Sequence, residues 1–299
     1  MQTVPANANL VEKAARLREI VASRPGLIVA YSGGVDSAFL AWTAHEVLGE
    51  RMRAVIADSA SLARTHLQDA LAFAREQKIP VEVVETRELE NPAYARNDAM
   101  RCFHCKDELF TVLEEFRATR GFAAVAYGVN ADDEGDFRPG QKAARQHHVL
   151  APLLEARLTK LEIRELARQA GLRVWEKPAS ACLSSRIEYG REVTPEALSV
   201  IERGEDALRG LGFRQFRVRH HGEIVRIEIA QDELALAMSA EMAREFTAIF
   251  KTLGFKFVTL DLEGFRSGSM NQLLTAEELV KGRASGPARG SSEHIYKAS

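Results

Sequence analysis

Residues 26–49, GLIVAYSGGVDSAFLAWTAHEVLG, predict a buried strand, a glycine-containing turn and a helix in direct succession. The run 26–32 is rich in apolar residues, as in a strand covered on both faces, and 38–49 is a helical stretch closed by a glycine. The same alternation continues along the chain. Further strands are expected at 53–59, 81–86 and 122–130, and further helices over 62–77, 106–121 and 158–171. This pattern predicts a doubly wound α/β domain with a parallel sheet.

The turn after the first strand has the composition of a phosphate-binding loop. Gly33 and Gly34 let the backbone turn tightly and approach a ligand, and Ser32 and Ser37 supply hydroxyl groups. The backbone amides of this turn lie at a helix N-terminus, which favours anions. The lysine and the spacing of a Walker A loop are absent. We therefore predict a phosphate cradle of another kind, the alternative being a glycine-rich turn that serves only the topology.

The last third of the chain has a different pattern. A helix is followed by an alternating hairpin around Gly222, a helix over 231–253 and a strand within 255–264. The expected division is a doubly wound domain over 1–192, a smaller α+β domain over 193–280 and a Gly- and Ser-rich, disordered tail over 281–299.

Composition limits the classes of function. With 40 Lys and Arg against 42 Asp and Glu, the formal net charge of −2 gives the 299-residue chain no general attraction to nucleic acid or to an anionic membrane. No apolar run approaches the ~20 residues that span a bilayer, and the N-terminal residues lack the features of a signal peptide. We expect a cytoplasmic protein whose three cysteines serve metal binding or catalysis rather than disulfides.

The three cysteines lie in two segments. Cys102 and Cys105 form a C-x-x-C pair in RCFHCK, and Cys182 lies in KPASACLSSR between Lys177 and Arg186, whose charges are expected to lower the pKa of its thiol. Without a fourth cysteine, a four-thiolate zinc site within one chain is excluded. Three thiolates can hold a 4Fe-4S cluster by three irons and leave the fourth iron open. The alternatives are a zinc site completed by His104, which its position between the two cysteines disfavours, and cysteines that are only small buried hydrophobic residues.

Five segments, SGGVDS, RCFHCK, GVNADDEGDFRPG, KPASACLSSR and FRSGSMN, together resemble the LarE family of ATP-dependent sulfur transferases over roughly residues 10–275. SGGVDS, residues 32–37, resembles the pyrophosphate loop (PP loop) of the ATP pyrophosphatases, which implies that Asp36 helps to bind Mg²⁺. The family uses ATP to adenylate the carboxylates of pyridinium-3,5-biscarboxylic acid mononucleotide and converts them to thiocarboxylates, in nickel-pincer nucleotide biosynthesis. The resemblance also implies a PP-loop ATP pyrophosphatase fold for 1–192, a homo-oligomer and a sulfide donor.

Members of this family differ in their source of sulfur. Some have only the cysteine that matches Cys182 and sacrifice its sulfur, which leaves dehydroalanine. This chain departs from that pattern because it also carries Cys102 and Cys105. It therefore resembles the members that use a 4Fe-4S cluster, which implies that all three cysteines are catalytic and ligate the cluster. Sacrifice of Cys182 is the alternative.

Cationic residues are expected to bind the phosphate and carboxylates of such a substrate. Arg217 and Arg219 alternate onto one face of a strand, which suits a bidentate anion clamp, although such a pair is also common on a solvated surface. Arg186 and Arg138 are further candidates for the substrate site.

Three further residues are expected near the nucleotide. Asp58 and Ser59, at the end of the second strand, are candidates for the adenine and ribose pocket, and Asp132 follows the fourth strand at the edge where α/β sheets bind ligands. The other members of the predicted ATP site are Ser32, Gly33, Gly34, Asp36 and Ser37.

Three other functions share parts of this pattern. A PP-loop tRNA thiolase also combines an SGGxDS loop with cysteines, but it would need a basic RNA-binding surface, and the net charge of −2 argues against one. An amide-forming synthetase of the NAD or GMP type has no use for three cysteines. A nucleotide-sensing protein with a structural metal site would bind ATP without turning it over.

Overall fold

The computed structural model of the chain describes residues 8–134, 139–178, 181–266 and 268–275. The strands of its central sheet are β1 (Leu27–Ala30), β2 (Met52–Asp58), β3 (Val81–Glu85) and β4 (Ala124–Tyr127). All four are parallel, in the order β3-β2-β1-β4. Leu27 lies opposite Met52 on one side and Ala124 on the other, so the fully buried β1 has an inner position. The predicted parallel sheet is confirmed.

Helices cover both faces of this sheet. In chain order they are α1 (Ala8–Ala22), α2 (Val35–Leu48), α3 (Arg64–Glu76), α4 (Pro92–Ala95), α5 (Arg101–Arg120), α6 (Pro139–Gln146), α7 (Pro152–Glu155) and α8 (Lys160–Gln169). Successive side chains of β1 point to opposite faces of the sheet, so their contacts show which helices cover each face. Leu27 and Val29 pack into one apolar cluster with α1, α2 and α8, whereas Ile28 and Ala30 pack into another with α5 and α6. The predicted doubly wound architecture is confirmed.

A second, smaller unit follows. Its elements are α9 (Pro195–Gly210), β5 (Phe216–His221), β6 (Ile224–Ile229), α10 (Leu234–Ala237), α11 (Ala240–Thr252) and β7 (Phe257–Leu260). β5 and β6 form the predicted antiparallel hairpin, turned at Gly222 with a φ of 69°, and β7 pairs in parallel with β6. Phe246, Phe250 and Val218 belong to its apolar core. The smaller α+β unit is confirmed, while its boundary at residue 193 stays a prediction.

Two predicted helices differ from the structure. The helix expected over 231–253 is interrupted, because the Ser239 hydroxyl accepts a hydrogen bond from the Met242 amide at 3.2 Å and caps a new helix, α11. The helix expected to start after the cysteine pair begins before it, at Arg101, since no proline or glycine separates the two segments. The cysteine pair therefore lies in the first two turns of α5.

Two predictions, the disordered tail 281–299 and the substrate contact of Arg138, fall outside the described residues. Within the described ranges, no helix is long and apolar enough to cross a membrane.

Candidate active site

The PP loop leaves the carboxyl end of β1 and runs into α2. Gly33 has a φ of 70°, and a Cβ atom there would lie 2.5 Å from the Cβ of Ala70, so the turn requires glycine. The Ser37 hydroxyl accepts a hydrogen bond from the Ser32 amide at 3.2 Å and donates to the Gly34 carbonyl at 3.1 Å. These bonds brace the loop from within, and its amides lie at the N-terminus of α2, as an anion site requires.

Asp36, in the first turn of α2, is held by two residues from distant parts of the chain. Lys160, the first residue of α8, forms an ion pair with its Oδ2 atom, and the Asn130 side-chain amide donates to its Oδ1 atom at 3.3 Å. The backbone amide of Lys160 donates to the Asp132 carboxylate at 2.7 Å. Lys160 therefore connects the two carboxylates predicted for the ATP site.

The sequence pattern did not point to Lys160, because 124 residues separate it from Asp36. One signal was present. The Thr159 and Glu162 capping box fixes the start of α8, so Lys160 lies at the positive end of the helix dipole, which disfavours a lysine. A carboxylate partner is expected for a lysine in that position, and Asp36 supplies it.

Asp58 and Ser59 lie at the carboxyl end of β2, the strand next to β1. The Arg64 guanidinium forms an ion pair with Asp58 and donates to the Ser59 carbonyl at 2.9 Å. The Ser59 hydroxyl donates to the buried carboxylate of Glu88. Both predicted residues thus join a polar cluster at the expected sheet edge, while their contact with adenine or ribose stays a prediction.

The cysteine loop, residues 181–186, docks at the same edge. The Leu183 amide donates to the carbonyl of Ser61, three residues beyond the end of β2, at 2.8 Å. Because parallel strands bring their carboxyl ends to one edge, this bond places the cysteine loop on the side of the sheet that carries the PP loop. The structure thus brings the predicted ATP site and Cys182 to one edge of the domain.

Arg186 is only 1% exposed, and its guanidinium serves the cysteine loop itself. It forms a two-point ion pair with Glu205 of α9, at 2.8 and 3.2 Å, and donates to the carbonyls of Ala181 at 2.7 Å and Cys182 at 2.9 Å. An unpaired charge at this depth would be costly, so the pair with Glu205 stabilises the loop. The geometry gives Arg186 a positioning role, and the substrate contact predicted for it stays a prediction.

Arg219 of β5 is also buried and also holds the cysteine loop. Its guanidinium pairs with Glu228 of β6 at 2.8 Å. It donates to the Ser185 carbonyl at 3.1 Å and to the Ser269 hydroxyl at 3.0 Å. Through these bonds the small sheet is joined directly to the loop that carries the third cysteine.

Arg217 lies two residues before Arg219 and on the same face of β5. Its guanidinium lies over the Phe265 ring, 4.7 Å from the centroid. Burial, and then the charge of Arg186, lower the pKa of Arg217 to about 10, whereas the carboxylates of Glu205 and Glu228 oppose that shift. The predicted phosphate contact of Arg217 and Arg219 stays a prediction.

The thiol of Cys182 lies 3.1 Å from the Ser184 hydroxyl. Burial raises the pKa of Cys182, but the Arg101 guanidinium, the hydrogen bond with Ser184 and the Arg186 guanidinium lower it, and the net shift is downward. The sequence predicts this effect for Lys177 and gives no role to Arg101. In the structure, Lys177 pairs with the Asp69 carboxylate on α3 at 3.6 Å. The surroundings of Cys182 thus favour the thiolate, which is the form that attacks carbon and binds metal.

The other two cysteines have contrasting surroundings. Cys102 is exposed, whereas Cys105 is half-buried against the apolar core of the smaller unit. Burial, and then the negative charge of a Cys182 thiolate, raise the pKa of Cys105. Cys105 and Leu183 of the cysteine loop pack in the same apolar cluster, so the two segments lie close together. No three His, Cys, Asp or Glu side chains in the described part of the chain are arranged to hold a metal ion. Ligation of a 4Fe-4S cluster by the three cysteines therefore stays a prediction.

Related proteins cover most of the chain. The NAD synthase family matches residues 10–120. The chain is 41% identical over 266 residues to an uncharacterized protein of Synechocystis sp., covering 89% of this chain and 99% of that protein. An uncharacterized protein of Methanocaldococcus jannaschii is 28% identical over 241 residues, covering 81% of this chain and 91% of its own length.

A third relative has a named activity. The pyridinium-3,5-bisthiocarboxylic acid mononucleotide synthase of Lactiplantibacillus plantarum is 34% identical over 276 residues, which cover 91% of this chain and 99% of that enzyme. Because this similarity extends over nearly the whole of both proteins, through the PP-loop domain and the smaller unit alike, the chain belongs to the LarE family of ATP-dependent sulfur transferases.

Proposed function

We propose that the protein uses ATP to activate the carboxylates of pyridinium-3,5-biscarboxylic acid mononucleotide and replaces the activated oxygen of each with sulfur. The docking of the cysteine loop at the PP-loop edge carries this proposal. An unactivated carboxylate resists a sulfur nucleophile because its leaving group would be oxide, whereas AMP leaves far more readily. An activating site and a sulfur site therefore need to face one substrate.

The nucleotide site is proposed to act through charge. The PP-loop amides and the hydroxyls of Ser32 and Ser37 are suited to the pyrophosphate that leaves. Asp36 and Asp132 supply carboxylate oxygens, which suit Mg²⁺, and Mg²⁺ bound there would neutralise phosphate charge. The Lys160 ammonium, held against Asp36, is positioned to pair with a phosphate when the nucleotide binds.

We further propose that the sulfur is carried on a 4Fe-4S cluster held by Cys102, Cys105 and Cys182. The contact of Arg101, next to Cys102, with the Ser184 carbonyl, close to Cys182, supports attachment by three irons because it joins the two cysteine segments. When bound, the cluster would supply an open iron for sulfide from a separate donor. The lowered pKa of Cys182 supports this role, since the thiolate is the form that ligates iron.

The same lowered pKa supports a second route to the product. The Cys182 thiolate would attack the acyl adenylate and form a C–S bond as AMP leaves. Loss of the Cα proton of Cys182 would then break its Cβ–S bond. The products are a thiocarboxylate and a dehydroalanine in place of Cys182, with one sulfur delivered per chain.

The positive face of β5 is proposed to bind the substrate phosphate through Arg217 and Arg219. We infer a cytoplasmic homo-oligomer without a nucleic-acid partner, from the family and from the net charge of −2. A PP-loop tRNA thiolase is the competing enzyme class, and it predicts that tRNA stimulates pyrophosphate release.

Anaerobic purification with iron and sulfide analysis, followed by incubation with ATP, Mg²⁺ and the pyridinium mononucleotide, tests the proposal. We expect pyrophosphate release that depends on the pyridinium substrate, and a product in which sulfur replaces oxygen, detected by mass spectrometry. ATP binding without pyrophosphate release would identify a nucleotide-sensing protein instead. Release only with tRNA would identify a thiolase.

A further inference from the structure

Asn97 and Arg101 connect the start of α5 to the cysteine loop and the residues after it. Asn97 is fully buried, and its side-chain nitrogen donates to the carbonyls of Glu188 at 2.8 Å and Arg191 at 2.9 Å. The Asn97 side-chain oxygen accepts a hydrogen bond from Nη1 of Arg101. This Arg101 nitrogen also donates to the Ser184 carbonyl at 2.9 Å. These two side chains are named the Asn97–Arg101 clasp.

The backbone of Asn97 adds a second observation. Its φ of 56° lies in the left-handed region, which is unfavourable for residues other than glycine, although asparagine tolerates it better than most. The Gly190 amide donates to the Asn97 carbonyl at 3.0 Å. Side chain and backbone together therefore tie this one position to the segment that follows the cysteine loop, and these bonds offset the unfavourable conformation.

Arg101 is buried in an unusual way for an arginine. It is 4% exposed, and among the described residues it forms no ion pair with a carboxylate. Its guanidinium lies over the Tyr189 ring, 5.4 Å from the centroid. The hydrogen bonds to the Asn97 side chain and to the Ser184 carbonyl therefore stabilise a guanidinium that would otherwise be costly to bury.

We propose that the Asn97–Arg101 clasp holds the cysteine pair of α5 in a fixed position relative to the cysteine loop, and that Asn97 and Arg101 are positioning residues for sulfur transfer. The inference rests on the proposed function. Cys102 follows Arg101 directly, and Ser184 lies two residues after Cys182, so the clasp joins the two cysteine segments close to their thiols. Its contacts leave the PP loop untouched, so adenylation does not depend on it.

The test uses the full chain in metal-free form with Arg101→Met, Arg101→Lys or Asn97→Gly, and Arg117→Met near the other end of α5 as the control. Asn97→Gly accommodates the left-handed backbone while it removes the side chain. Arg101→Lys keeps the charge and a donor. Thermal unfolding establishes which variants fold. If Arg101→Met does not fold, Asn97→Gly and Arg101→Lys decide the outcome.

The first readout is the yield of disulfides between the two cysteine segments, which reports how closely their thiols approach. Mild oxidation with diamide, followed by peptide mass spectrometry, measures the disulfides of Cys182 with Cys102 or Cys105. We expect the wild type and the control to form them, and Arg101→Met and Asn97→Gly to form about tenfold less, because small displacements strongly reduce effective molarity. Arg101→Lys should lie between. Equal yields, or no such disulfide in the wild type, would overturn the proposal.

The second readout separates activation from sulfur transfer. Arg101→Met and Asn97→Gly should release pyrophosphate at the wild-type rate, yet form about tenfold less thiocarboxylate per pyrophosphate. Equal loss of both activities would show a general structural defect and overturn the positioning role. If the wild type releases no pyrophosphate with the pyridinium substrate, the proposed function fails, and the disulfide yields still decide on the clasp.

Discussion

The ammonium group of Lys160 pairs with the carboxylate of Asp36 and so joins the start of α8 to the PP loop. The backbone amide of the same residue binds Asp132. One lysine thus contacts both carboxylates of the proposed nucleotide site. A charge held in a fixed position can stabilise a transition state without a cost of reorganisation.

Lys160→Met should lower the rate of pyrophosphate release by about 100-fold, the scale on which one preorganised contact to developing charge contributes. Lys160→Arg should keep part of the rate because it keeps the charge. Lys13 is the matched control, since it pairs with Glu162 of the same helix at 2.8 Å. Lys13→Met should change stability by less than about 1 kcal/mol and leave the rate intact. A wild-type rate in Lys160→Met would exclude the proposed role.

Asp36→Asn should abolish pyrophosphate release and leave the fold intact. The substitution removes a charge suited to Mg²⁺ but almost no volume, and the ion pair that it breaks is only partly buried, so we expect a loss of about 1 kcal/mol or less. Pyrophosphate release across a Mg²⁺ titration, together with a thermal melt, checks both statements. Undiminished release would rule out the assigned role of Asp36.

Arg217→Ala should raise the KM for the pyridinium mononucleotide by about 10- to 100-fold, equivalent to ~1.5–3 kcal/mol for a charge-assisted contact. Arg219→Ala should raise it as well, and should also destabilise the protein because Glu228 would lose one of its two arginine partners, keeping Arg226 at 3.1 Å. Arg214→Ala is the control, since that side chain is 77% exposed. If neither variant alters KM, the substrate phosphate binds elsewhere.

The parts of the site that the sequence predicts are those whose determinants are local. The PP loop needs only a strand, two glycines and a helix within 26–49, and the layers follow from alternation along β1. Lys160 and Arg101 could not be found in this way, because their partners lie 124 and 83 residues away. The mutual approach of the cysteine segments likewise depends on tertiary packing, which no spacing of cysteines encodes.

The pair between Arg186 and Glu205 should make stability depend on pH in the acid range. Burial raises the pKa of Glu205, but the Arg186 charge and hydrogen bonds outweigh it and lower the pKa in the folded state. The stabilisation is therefore present above the unfolded pKa of about 4.3 and is lost as the pH falls through the lower, folded value.

Glu205→Gln should accordingly flatten that dependence, and at pH 7 it should cost about 3–5 kcal/mol because Arg186 would stay buried without its partner. Urea unfolding at a series of pH values below and above about 4.3 measures both effects. Glu192→Gln, at an exposed position, is the control. Parallel pH curves for Glu205→Gln and the wild type would contradict the assignment.

Iron content and sulfur transfer should depend on all three cysteines if a cluster carries the sulfur. Cys102→Ser, Cys105→Ser and Cys182→Ser should each lose iron and thiocarboxylate formation, while pyrophosphate release persists because activation needs only ATP, Mg²⁺ and the PP loop. Anaerobic iron analysis beside the two product assays measures this. Cys105→Ala separates the loss of a ligand from the cost of burying a hydroxyl group.

The sacrificial route predicts a different result for the same variants. Cys102→Ser and Cys105→Ser would still convert one carboxylate per chain, and the spent protein would be lighter by one H₂S at the peptide that contains Cys182. Repeated turnover with sulfide at unchanged protein mass supports the cluster, whereas that mass loss in the wild type overturns it. Cys102 is the most informative position, because it is exposed and its replacement disturbs no apolar core. A loss of sulfur transfer in Cys102→Ser therefore reports on the thiol itself.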